Sequence, residues 1–121
     1  MNYQKIQQGD VLLLKVTKEE FQLQRLNYRT TEHDVRALLQ HGEGTGHAHA
    51  IYMEDLLDNA GVTLCKQQEY QRSNQGLIVT GAPVELRHEE HNTITLEPGY
   101  YIQKIVREYD HISGRSRGVI D

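Results

Sequence analysis

The chain has one cysteine, no tryptophan, one phenylalanine, two prolines and two methionines among 121 residues. Each scarcity excludes something. A lone Cys65 can close no internal disulfide and cannot build a multi-thiolate zinc site, so any bound metal would rest on nitrogen and oxygen ligands. The longest apolar run, Val11-Leu12-Leu13-Leu14, is far below the ~20 residues that span a bilayer. The opening MNYQKIQQGD has no basic region followed by a long apolar stretch, so a secretory signal is not expected. The expectation is a cytoplasmic protein with no membrane segment. Positive charge is also scarce: thirteen Lys and Arg against seventeen Asp and Glu leave a net charge of −4 with histidine neutral. Nucleic-acid binders displace counterions with basic patches, so nucleic acid is not an expected partner.

What is present is histidine and glutamine. Seven His and eleven Gln stand beside seven Tyr. The 121 residues fit a single domain over 1–121, with 111–121 expected as a loose C-terminal tail. Val, Ile and Thr occur eight times each, which favours strands.

The pattern along the chain agrees. Gln7 to Asp10 reads as a turn and Val11 to Thr17 as a strand. Lys18 to Glu32 is a loop or holds a short helix over Glu19–Leu26, while Val35 to Gln40 is read as a strand although one helical turn also fits. His47 to Met53 alternates as a strand does, Glu54 to Gly61 turns, and Val62–Lys66 and Leu77–Thr80 are strands flanking a polar loop. Val84–Arg87, Thr93–Leu96 and Tyr100–Tyr109 complete the set. The expected fold is all-β, a single small barrel or sandwich of about 7–9 short strands.

Two histidine clusters carry the chemistry. In the strand of Gly42-Glu43-Gly44-Thr45-Gly46-His47-Ala48-His49, positions i and i+2 share a face, which sets His47 and His49 side by side. Their Cβ atoms would lie ~7 Å apart, within reach of one ion. His88-Glu89-Glu90-His91 falls between two strands, in a turn where i and i+3 can converge. It is not His-Glu-x-x-His, so helical zinc-protease spacing is absent. If the clusters, about forty residues apart, meet across the fold, His47, His49, His88 and His91 can share one divalent transition metal, Zn, Ni, Fe or Mn. Glu43, Glu89 and Glu90 lie near them as possible hydrogen-bond acceptors or general bases.

Gly42, four residues, His47-Ala48-His49, four residues, Glu54, six residues and Gly61 resembles the first cupin motif, with one residue fewer between the glycine and the histidines. The likeness covers Gly42 to Gly61. It implies a small β-barrel with a metal held by two His, a Glu and a later His, which adds Glu54 to the candidate ligands. Glu54 has the opposite strand parity to the histidines, so its inclusion requires a bulge. The second cupin motif is not matched: Pro98 and Gly99 are adjacent, and Ile102 stands where a His is expected. His88 or His91 would have to complete the set. The order GEGTGHAH, HEEH, LEPGYY also resembles small uncharacterised bacterial proteins.

Other readings are weaker. Ile51 replaces the third histidine of a nucleotide-hydrolase triad, and no Lys-Ser/Thr follows the glycines as a P-loop requires. Cys65 reads as a buried core residue. Lys104, Arg107, Arg115 and Arg117 beside Tyr100, Tyr101 and Tyr109 read as a solvated edge, interrupted by Glu108 and Asp110. His41 is a spare ligand; His33 and His111 have no assigned role. The functional expectation is a metal-binding cupin-like protein with room for a small-molecule substrate, and a homodimer is compatible with it. The alternative is a metal-free interaction or small-ligand-binding β module.

Overall fold

Alternation of apolar and polar residues becomes two facing sheets. The structure, a computed structural model, describes residues 3–26, 28–30, 36–41, 48–66, 75–105, 107–110 and 115–118. Its strands are β1 (Gln4–Gln8), β2 (Val11–Val16), β3 (Tyr28–Thr30), β4 (Arg36–His41), β5 (Ala48–Tyr52), β6 (Gly61–Lys66), β7 (Gln75–Thr80), β8 (Val84–Arg87), β9 (Ile94–Leu96), β10 (Gly99–Ile105), β11 (Arg107–Asp110) and β12 (Arg115–Gly118). One short helix, α1 (Lys18–Leu23), follows β2, and a 3-10 turn spans Met53–Asp55. The fold is all-β. No helix among the described residues is long and apolar enough to cross a membrane.

Six strands form one sheet in the order β1-β2-β10-β7-β6-β3, and four form a second in the order β4-β5-β8-β9. Every pairing is antiparallel. The sheets do not close into one barrel: β1 and β3 end the first, β4 and β9 the second, among the described residues. A separate ribbon pairs β11 with β12, so Arg115–Gly118, within the segment expected as a tail, is strand. The strands exceed the seven to nine expected because β1, the three-residue β3 and the terminal ribbon were not separable as strands in the sequence.

The core sits between the sheets. Val11 and Leu13, Val62 and Leu64, Leu77 and Val79, and Tyr101 from the large sheet meet Ala37, Leu39, Ile51, Val84, Leu86 and Leu96 from the small one. The spacing of two in each strand is what directs them to one face. The opposite face of the large sheet carries a second cluster, Cys65, Ile78 and Ile102 under Phe21 and Leu26. Helix α1 supplies that cover. Thr17 caps it, its hydroxyl oxygen accepting from the Glu20 N–H at 3.2 Å, which satisfies one of the first-turn donors, and its hydroxyl donates to the Glu20 carboxylate at 3.2 Å. Gly76 leaves the space for Phe21, since a Cβ there would lie 2.6 Å from the ring.

Between the sheets, polar groups must find partners because water does not reach them. The β4–β5 register shifts between Leu38 and Gln40, which takes Leu39 out of the ladder. Its carbonyl is satisfied from the opposite sheet: Gln103 Nε2 donates to it at 3.2 Å and Gln75 Nε2 at 3.5 Å, and Gln75 also donates to Gln103 Oε1 at 2.9 Å.

The turn before β8 depends on Gly81, whose φ of 79° disfavours any residue with a Cβ. Its carbonyl accepts from Asn59 Nδ2 at 3.0 Å, and a Cβ would lie 1.8 Å from the Asn59 carbonyl oxygen. Gly81→Ala is therefore expected to lower stability by about 2 kcal/mol or more in urea denaturation; a loss within about 0.5 kcal/mol would contradict this reading of the turn.

Candidate functional site

His49 is buried completely near the start of β5. Strand geometry turns its neighbours Ala48 and Ala50 the other way, and both are buried too. A buried imidazole needs partners for both nitrogens, and both have them. Nδ1 lies 2.8 Å from Gln8 Oε1 and Nε2 lies 3.0 Å from Asp10 Oδ1. These partners come from the turn joining β1 to β2, on the opposite sheet. Asp10 is 2% exposed and Gln8 is 3% exposed.

Hydrogen-bond direction here follows from Gln8. Its Nε2 donates to the Leu86 carbonyl at 2.9 Å and to the Asn92 carbonyl at 2.8 Å, which uses both amide hydrogens. Oε1 can therefore only accept, so the His49 Nδ1 carries the hydrogen. On the other side a hydrogen lies between Nε2 and Asp10, as an imidazolium facing a carboxylate or a neutral ring facing a carboxylic acid.

The HEEH turn folds onto this pair. His88 is buried, and its ring stacks on His49 with centroids 4.2 Å apart and planes 24° apart. His91, exposed, extends the array at 4.7 Å from His88 and 6.1 Å from His49. Glu89 Oε2 accepts the Ala48 N–H at 3.0 Å, and the Glu90 N–H is donated to His88 Nδ1 at 3.1 Å. Glu89 thus ties the turn to β5.

Of the sequence candidates, His49, His88 and His91 come together. His47 and Glu43 lie outside the described residues, as do His33 and His111. Glu54 is placed elsewhere: on the 3-10 turn past the end of β5, its side chain 72% exposed and 3.6 Å from Arg87 Nη1. The same guanidinium lies 3.3 Å from Asp55 and 4.1 Å from the centre of the Tyr52 ring. The register shift on this edge is in β4, opposite Ala50 and His49, rather than between His49 and Glu54.

Stacking governs what the cluster can hold. Imidazole lone pairs lie in the ring plane, so the stacked rings of His49 and His88 aim their nitrogens sideways instead of at one point, whereas His88 and His91 are tilted by 38°. His49, with both nitrogens in hydrogen bonds, offers no lone pair as placed. Among the described residues no three His, Cys, Asp or Glu side chains form a group arranged to hold an ion.

Gln8 and Asp10 are the site residues that the sequence did not mark. Gln7 and Gln8 flank the same turn and look alike; only the pairing of Gln8 with Val11 shows which side chain faces inward. Cys65 is buried, and burial raises its thiol pKa, with Arg29 opposing; it belongs to the packing under α1.

A family model described as a domain of unknown function (DUF8820) matches residues 7–107. No curated protein and no solved structure matches the chain.

Removing the His49 ring takes a buried partner from both Gln8 Oε1 and Asp10. His49→Ala is expected to cost about 3–5 kcal/mol, against under about 0.5 kcal/mol for the exposed His91→Ala. Chemical denaturation of both variants checks this, and equal losses would contradict it.

Proposed function

Because the chain belongs to the DUF8820 family over residues 7–107, a family whose description assigns no activity, we propose a function from the histidine cluster itself: binding of one divalent transition metal ion at the HEEH turn. The observation that carries the reading is the meeting of two histidine segments about forty residues apart, with His88 stacked on His49 and His91 tilted at 38° beside His88. His88 and His91 would hold the ion, and the exposure of His91 gives it access from solvent. At His88 the ion would compete with the Glu90 N–H for the Nδ1 lone pair. His49 serves as the buried ring on which His88 rests. Buried, hydrogen-bonded groups behind ligands commonly fix their orientation. The resemblance of Gly42 to Gly61 to the first cupin motif supports the same reading. It also keeps His47 as a further donor. An ion with few protein ligands retains positions for water or substrate, where it can polarise a carbonyl or ionise water.

A second reading is favoured by one observation, the engagement of both His49 nitrogens by Gln8 and Asp10. In it the protein is a metal-free β module and the histidines are packing. Equilibrium dialysis of tag-free protein against Zn(II) and Ni(II), followed by elemental analysis, separates the two. The expected result is about one ion per chain, with affinity lowered about tenfold or more in His88→Ala/His91→Ala. Equally small metal contents in wild type and double variant would reject metal binding and leave the module.

A further inference from the structure

We propose that Gln8 is the positioning residue of the histidine cluster, holding the HEEH turn and the His49 ring in register with each other. One side chain reaches three separate segments. Its two amide hydrogens go to Leu86 O, two residues before His88, and to Asn92 O, one residue after His91. Its oxygen accepts from the His49 Nδ1. The two carbonyls bracket the turn, so Gln8 fixes both its ends, and the third bond sets the plane of the ring against which His88 stacks at 4.2 Å. Asp10 meets the far nitrogen of that ring.

The chemistry at this position is specific to glutamine. A glutamate has the length but no hydrogens to donate, and it would turn a charged oxygen toward two carbonyls. An asparagine is one methylene short, ~1.5 Å, of the same three partners. A leucine would leave two buried carbonyls and a ring N–H without the partner that Gln8 supplies. Gln8 is also anchored by the backbone, since it sits opposite Val11 in the β1–β2 pairing immediately before the turn at Gly9 and Asp10. It touches no candidate ligand nitrogen on His88 or His91, and acts through the turn and the ring.

That this positioning serves metal uptake rests on the reading above; the positioning itself does not. The test therefore has two readouts on the full chain. One is the set of ring-proton cross-peaks between His49 and His88 in NMR spectra of metal-free protein. The other is zinc affinity, measured by titration with the metal alone. Gln8→Glu is compared with Ile78→Ala, a destabilising change in the separate cluster beneath α1. Gln8→Glu is expected to abolish the cross-peaks and weaken zinc binding about tenfold or more, while Ile78→Ala keeps both. If wild type takes up no zinc but Gln8→Glu still loses the cross-peaks selectively, the positioning role stands and the metal reading falls. Retention of the cross-peaks in Gln8→Glu, or their equal loss in Ile78→Ala, would overturn the role. Should Gln8→Glu not fold, Gln8→Asn, shorter and uncharged, carries the same comparison.

Discussion

Burial of His49 is the constraint around which this end of the sandwich is built. An imidazole without contact with water must place both nitrogens in hydrogen bonds. The partners come from the turn between β1 and β2, across the interface between the sheets. The ring thus adds directed hydrogen bonds between the two sheets to the undirected contacts of the apolar core. An unsatisfied buried polar group costs about 1–3 kcal/mol, a large part of the ~5–15 kcal/mol by which a domain is stable. Sheet placement here is therefore governed by direction as well as by area.

The same solution recurs at the bulge in β4. There the Leu39 carbonyl is released from the ladder and met by Gln103 and Gln75 from the opposite sheet. Glutamine suits such a role, with a reach of three methylene-length bonds and both donors and an acceptor at its tip. Gln8, Gln75 and Gln103 explain part of the glutamine excess in the composition. Both sites join backbone carbonyls of the small sheet, Leu86 and Leu39, to side chains of the large one. The pairing of the sheets is fixed at two points by hydrogen bonds that tolerate little sliding.

Much of the fold was legible because period-two patterning is a strong signal. Val62 to Lys66, Val84 to Arg87 and the strand carrying His49 all lie where their alternation places them. The ambiguous segment after Val35 is strand from Arg36 to His41, as its approach to the next β-like segment suggested. The helix was less visible, because α1 has only six residues and its single buried residue, Phe21, cannot establish a period. The spacing of His88 and His91 made a turn readable, but not what the turn would touch. The inward side chains of Gln8 and Asp10 were invisible for a physical reason: they flank a turn, where side-chain direction depends on cross-strand pairing and no local alternation records it. Glu54 shows the opposite case: the resemblance to the first cupin motif implied a ligand against its strand parity, and in the fold its exposed side chain lies beside Arg87.

His49 is a doubly hydrogen-bonded ring fixed by Gln8, and the hydrogen on its Nδ1 is the most direct sign of it. Long-range proton–nitrogen NMR correlations of histidine-labelled protein report that atom individually. His49 is expected to carry a protonated Nδ1, with a ring proton protected from solvent exchange by burial. An unprotonated Nδ1, or a ring proton exchanging as fast as that of an exposed histidine, would contradict it.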